Sequence, residues 1–138
     1  MISIEEIELL WQDTQVVYLA TSSGQQPYVR PVVLIRQNDR FWIATGDSDK
    51  KMEQIRKNRR FEFCLPLKQE DDEGSLRVQG NLIIVEDQTA KTMIYQQVPF
   101  IRLYWDDPAD PSYALLELQF DQLEIMNPGE MVSEIIKL

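Results

Sequence analysis

Residues 28–58 restrict this chain more than any other stretch, because they read as strand, strand and then a helix whose first turn is positive. Residues 28–35 and 41–46 are rich in β-branched and aromatic side chains, with a turn at Gln37-Asn38-Asp39 between them. Residues 47–58 carry the helix. A helix start already bears about half a positive charge on its free N–H groups and ordinarily recruits acidic side chains. Lys50 and Lys51 add to that charge. One reading is an anion seated over the helix start, where backbone amides, the hydroxyls of Thr45 and Ser48 and the ammonium groups converge on phosphate. The other is a solvated cap in which Asp47 and Asp49 neutralise the lysines.

The rest of the chain fits a mainly β fold. Ser3 and Glu6 have capping-box spacing, with Ile2 and Ile7 placed as a hydrophobic staple, so a helix starts the chain. Ile4, Ile7, Leu10 and Trp11 then share a face. Residues 16–21 form a strand, and the stretch from Ser22 to Pro27 a turn. Residues 61–65 form another strand, and residues 68–75 read as a polar, mostly acidic loop. Residues 76–85 alternate as a long strand, with Gly80 marking a bulge or a close backbone approach. Arg77, Gln79 and Asn81 lie opposite Leu76, Val78 and Leu82. A short helix over residues 88–97 starts at Asp87 and stops at Pro99. Residues 106–111 are loop, residues 113–126 the last long strand, and a short amphipathic tail carries Val132, Ile135 and Ile136. Several strands, few helices, no repeat and no βαβ alternation predict one domain over residues 1–138, a largely antiparallel barrel with added helices.

Composition excludes several chemistries. The 138 residues include no histidine, which removes Ser-His-Asp and Cys-His nucleophiles and histidine-ligated zinc or haem. No metal site is expected. An organic cofactor is the remaining carrier of chemistry if the chain is an enzyme. A net charge of −9 argues against a nucleic-acid partner, which is held mainly by lysine and arginine. No apolar run has the length of a membrane span, and charged residues stand in the first few positions, so a cytoplasmic protein without a membrane partner is expected. The single cysteine agrees. Cys64, in an apolar strand, reads as a buried small hydrophobe.

The ordered set Ala20-Thr21, Pro27-x-x-Arg30-Pro31-Val32, Ala44-Thr45-Gly46, Lys51-x-x-x-Ile55-x-x-Asn58 and Leu76-Arg77-Val78-x-Gly80 resembles the flavin mononucleotide (FMN)-binding split β-barrel family typified by pyridoxamine 5′-phosphate oxidase. It is most similar to the small members named for nitroimidazole reductases. The resemblance spans residues 16–126 and implies an antiparallel Greek-key split β-barrel. It also implies a homodimer with FMN in grooves between subunits. By that resemblance Arg30 holds the phosphate, Thr45 and Ser48 donate hydroxyls, Lys50 or Lys51 supplies a second charge, and Val32 lies under the ring system. A guanidinium suits phosphate because it bonds two oxygens at once. Read alone, Arg30 fits an edge-strand surface charge better than a ligand contact, and the alternative for the lysines is a solvated helix face.

The chain also departs from its relatives. Asp49 stands two positions before Lys51, where many have serine, and a carboxylate there repels a phosphate dianion. Tyr28 replaces a frequent histidine, and Arg59 a frequent proline. No counterpart exists of the C-terminal arginine and histidine that hold pyridoxal phosphate in the type enzyme. Tyr28, Tyr104, Trp105 and Tyr113 read as structural aromatics. The function implied is an oxidoreductase that passes electrons from a reduced nicotinamide nucleotide to a small-molecule acceptor. A non-catalytic flavin-binding or dimeric module is the alternative, with haem handling and deazaflavin binding behind it.

Overall fold

The computed structural model describes residues 2–138. Helix α1 (Ile4–Glu8) precedes strands β1 (Thr14–Ser23), β2 (Gln26–Gln37) and β3 (Arg40–Gly46), then helix α2 (Lys50–Lys57). Strands β4 (Arg60–Gln69) and β5 (Asp72–Ile84) follow, then helices α3 (Gln88–Gln97) and α4 (Pro99–Arg102) and strands β6 (Tyr113–Met126) and β7 (Glu134–Lys137). The Ser3–Glu6 capping box is formed, and Ile7 is buried beneath α1. Pro99 both stops α3 and opens α4, where its missing N–H costs nothing.

The strands lie in the order β3-β2-β1-β4-β5-β6-β7, and a further β3–β6 pairing closes the first six into a barrel. All pairings are antiparallel. Three strands in succession, with the fourth returning beside the first, make a Greek key. Tight turns set the register. Asn38 and Asp39 both adopt left-handed φ, 57° and 58°, which a two-residue hairpin with primed geometry demands and which Asn and Asp tolerate. The turn expected from Ser22 to Pro27 is shorter, since Ser23 pairs with Gln26 across Gly24-Gln25.

Residues 68–75 are not a loop. β4 and β5 pair through Lys68↔Glu73 and Gln69↔Asp72, and the chain reverses at Glu70-Asp71 with Glu70 at φ 56°. Acidic composition marked exposure there, and backbone pairing with a partner already in register supplied the strand. Gly80 is both bulge and close approach. Gln79 faces Gln122 while Gly80 faces Phe120, which leaves Asp121 as the extra residue on β6.

Two apolar clusters stabilise the barrel. The interior holds Val17, Leu19, Leu34, Ile43, Phe63, Leu76, Val78, Leu82 and Leu116, with Met52 and Ile55 of α2 inserted from the side. Outside, α3 and α4 cover β3, β6 and the end of β2 through Ile35, Trp42, Ile94, Ile101, Tyr113 and Leu115. The tail ends as β7 on the far half of β6, where Ile136 reaches the interior cluster and Ile135 stays exposed. Cys64 differs from expectation: strand alternation turns Phe63 and Leu65 inward and leaves Cys64 half-buried on the outer face. Desolvation there pushes its thiol above the ordinary value, with Arg77 opposing and Glu62 adding.

Candidate functional site

β2 pairs with β3 only at Ile35, Arg36 and Gln37. Residues 26–34 of β2 pair with β1 alone, so the wall opens between β2 and β3, and α2 lies against the opening. Helical phase places Lys51 with Met52 and Ile55 on the buried side of α2. Strand phase places Tyr28, Arg30 and Val32 on the same face as Thr21, Leu19 and Val17, their partners across β1.

The guanidinium of Arg30 donates to the Thr21 hydroxyl (2.8 Å), the Leu19 carbonyl (3.2 Å) and the side-chain oxygen of Gln54 (2.7 Å). Thr21 in turn donates to Gln54 at 2.6 Å. Desolvation draws the Arg30 pKa below its ordinary value, and Asp49 works against that shift. Lys51 is buried, and its ammonium donates to Thr45, itself buried at the end of β3, at 2.6 Å. It also pairs with Asp49 at 3.1 Å. Asp49 is the N-cap of α2 and accepts the Lys51 amide at 2.9 Å. That backbone bond is the chief reason its carboxyl lies below the usual range, with the Lys51 ammonium and Arg30 adding to it and burial opposing. Asp49 is thus paired with Lys51 and lies within electrostatic influence of Arg30.

The other expected residues divide. Ser48 is exposed in the turn before α2 and enters none of these bonds. Lys50 is exposed and lines a separate cleft of about 210 Å³ with Ser23, Tyr28, Glu53, Gln54 and Lys57. Val32 is half-buried against the interior cluster. Tyr113 is 1% exposed and Trp105 packs beside it under α3 and α4, which makes both structural. Burial pushes the Tyr113 phenol well above its ordinary range. Tyr28 and Tyr104 are exposed, at 41% and 64%.

Thr21 and Gln54 are the site residues that sequence reasoning did not assign. The signal for Gln54 was its helical spacing from Lys50 and Lys51. Thr21 became a neighbour of Arg30 only through the β1–β2 register.

On the outer face of the same β1–β2 hairpin, Val16 (52% exposed), Tyr18 (45%), Val29 (69%) and Pro31 form an apolar strip. A cavity of about 720 Å³ lies elsewhere, near α1, lined mainly by apolar side chains including Leu9, Leu10, Leu67 and Pro128, and it gathers no set of cations. Among the described residues no helix is long and apolar enough to cross a membrane, and no cluster of three histidine, cysteine or acidic residues is placed to hold a metal.

In comparisons with known proteins, no curated protein matches. General stress protein 26 from Bacillus anthracis str. Sterne is 23% identical with a TM-score of 0.74, and the match covers 97% of each chain. A nimC/nimA family protein from Clostridium acetobutylicum is 22% identical at a TM-score of 0.70, covering 89% of this chain and 84% of that one. An FAD-binding protein from Mesorhizobium loti is 18% identical at 0.71, covering 88% and 92%. Identities this low establish the shared fold alone. The family model for pyridoxamine 5′-phosphate oxidase, however, matches residues 3–127, nearly the whole split barrel and every element around Arg30 and Lys51, and the chain belongs to that family.

Proposed function

We propose that this chain is a cytoplasmic, homodimeric FMN-binding oxidoreductase that passes electrons from a reduced nicotinamide nucleotide to a small-molecule acceptor. The observation that carries the reading is that Lys51 of α2, paired with Asp49, and Arg30 of β2, within electrostatic reach of the same carboxylate, both lie at the opening of the barrel in a chain of net charge −9. Two desolvated cations with the hydroxyls of Thr21 and Thr45 match a phosphate-bearing ligand in donor type. Family membership and the FAD-binding neighbour support a flavin.

Flavin supplies the redox chemistry when bound, and the chain supplies position and electrostatics. Arg30 and Lys51 would hold the phosphate end, Thr45 would orient the Lys51 ammonium, and Val32 would border the ring. The adjoining cleft of about 210 Å³ falls below the roughly 300–1,000 Å³ of ordinary ligand pockets. A second copy seated on the apolar strip around Val29 would supply the missing wall.

The test is an absorbance and fluorescence scan of purified protein, followed by titration with FMN and then NADH or NADPH. Saturable binding with bleaching by either donor and recovery in air is expected. Absence of FMN binding would overturn the reading. A second reading, a non-catalytic flavin-binding module, is favoured by Asp49 standing between the cations. Bound flavin that neither donor bleaches would select it.

A further inference from the structure

The groups of this cradle that a phosphate would use, the Lys51 amide and ammonium and the Arg30 guanidinium, already hold protein partners. The Lys51 amide in the first turn of α2 bonds the Asp49 carboxylate, and the Lys51 ammonium bonds Thr45 and Asp49. The Arg30 guanidinium is spread over Leu19, Thr21 and Gln54. The one anion among these groups is the Asp49 carboxylate, and it does at the helix start what a bound phosphate oxygen does elsewhere.

We propose that Asp49 is the specificity-determining residue of the cradle: it fills the anion seat, so the phosphate of FMN adds little affinity and FMN and riboflavin are held nearly alike. This rests on the flavin reading and deepens it. Arg30 and Lys51 contribute two positive charges and Asp49 removes one, so an incoming phosphate of about −1.5 to −2 meets a seat of net +1 with a carboxylate already paired to Lys51. The uncharged hydroxyls of a ribityl chain meet no such repulsion. At the adjoining cleft Glu53 offsets one of the two exposed lysines, Lys50 and Lys57, and these charges are open to solvent screening.

Asp49→Asn isolates the charge, because asparagine caps a helix as well as aspartate does and has the same shape. Dissociation constants for FMN and riboflavin should agree within about tenfold in the wild type, where one charge-assisted contact ordinarily separates such ligands by that factor or more. The variant should bind FMN at least ten times more tightly and riboflavin unchanged. Inorganic phosphate, compared with chloride at equal ionic strength, should raise the melting temperature of the variant and leave that of the wild type unmoved. Wild-type protein that prefers FMN far beyond tenfold, or a variant whose FMN affinity does not rise, overturns the proposal. If neither flavin binds either protein, the flavin reading fails. The phosphate shift then decides the anion seat alone: a shift confined to the variant upholds it, and equal or absent shifts overturn it.

Discussion

Gly80 of β5 lies against the carbonyl of Gln119 on β6 so closely that a Cβ at position 80 would fall well inside van der Waals contact with that oxygen. The contact sits at the bulge that makes Asp121 the extra residue of β6, and Arg60 at the start of β4 binds the Asp121 carboxylate across the same edge. The bulge thus steers the longest strand, which carries β3 on one half and β7 on the other.

Gly80→Ala should destabilise the protein by about 3 kcal/mol, the upper range for overpacking, because the colliding atoms are backbone and have no rotamer to yield. Urea unfolding measures it. An unchanged midpoint would show that β6 can move away freely.

Arg30→Ala and Lys51→Ala should each weaken FMN binding, with far-ultraviolet circular dichroism unchanged. Each takes a seat of net +1 to neutral and leaves the Asp49 carboxylate less compensated against the phosphate, an effect at the low end of the about 1.5–3 kcal/mol of a charge-assisted contact. The Arg30 variant, whose seat is neutral, should lie below wild type, and Asp49→Asn above it. Isothermal titration supplies the ranking, and identical affinities across the series would remove these residues from the site.

Asp49 also predicts a pH dependence. Its folded pKa lies below the ordinary 3.8, so its stabilising contribution is complete above that value and is lost as pH falls through the lower folded value. The side chain is 48% exposed, so solvent screening keeps the effect small. Urea midpoints at neutral pH and near pH 2.5 should fall less in Asp49→Asn than in wild type. Equal falls would show that the carboxylate contributes nothing to acid sensitivity.

Val29 is 69% exposed on the apolar strip. Val29→Glu should leave the folded chain intact and convert a dimer into a monomer, because a charge in the centre of a closed apolar interface goes unpaired. Light scattering on a sizing column reads the mass. A variant that remains dimeric would place the subunit contact on another face.

Much of this molecule is visible in the order of its residues. The capping box at Ser3, the boundaries of β6, the Asp87 cap, the Gly80 bulge and the Greek-key split barrel follow from periodicity, turn chemistry and family pattern. All but the last are local signals, carried by residues a few positions apart, whereas the Greek-key barrel was legible only through the ordered family pattern over residues 16–126. The hairpin at Glu70-Asp71 escaped because its acidic side chains advertise solvent, whereas strand formation there depends on β4 and β5 already being aligned. Cys64 was misplaced because an apolar run does not state which of its residues face inward.

In the candidate site, sequence alone determined the residue types: two cations, hydroxyls, an acidic neighbour and no histidine. Tertiary structure decided which of them meet. Helical phase set Lys51 inward and Lys50 outward, the β1–β2 register brought Thr21 to Arg30, and closure of β3 on β6 set Thr45 beneath the Lys51 ammonium. Those outcomes depend on contacts between segments distant in the chain, whose geometry exists only once the barrel has closed and water has been excluded from between them.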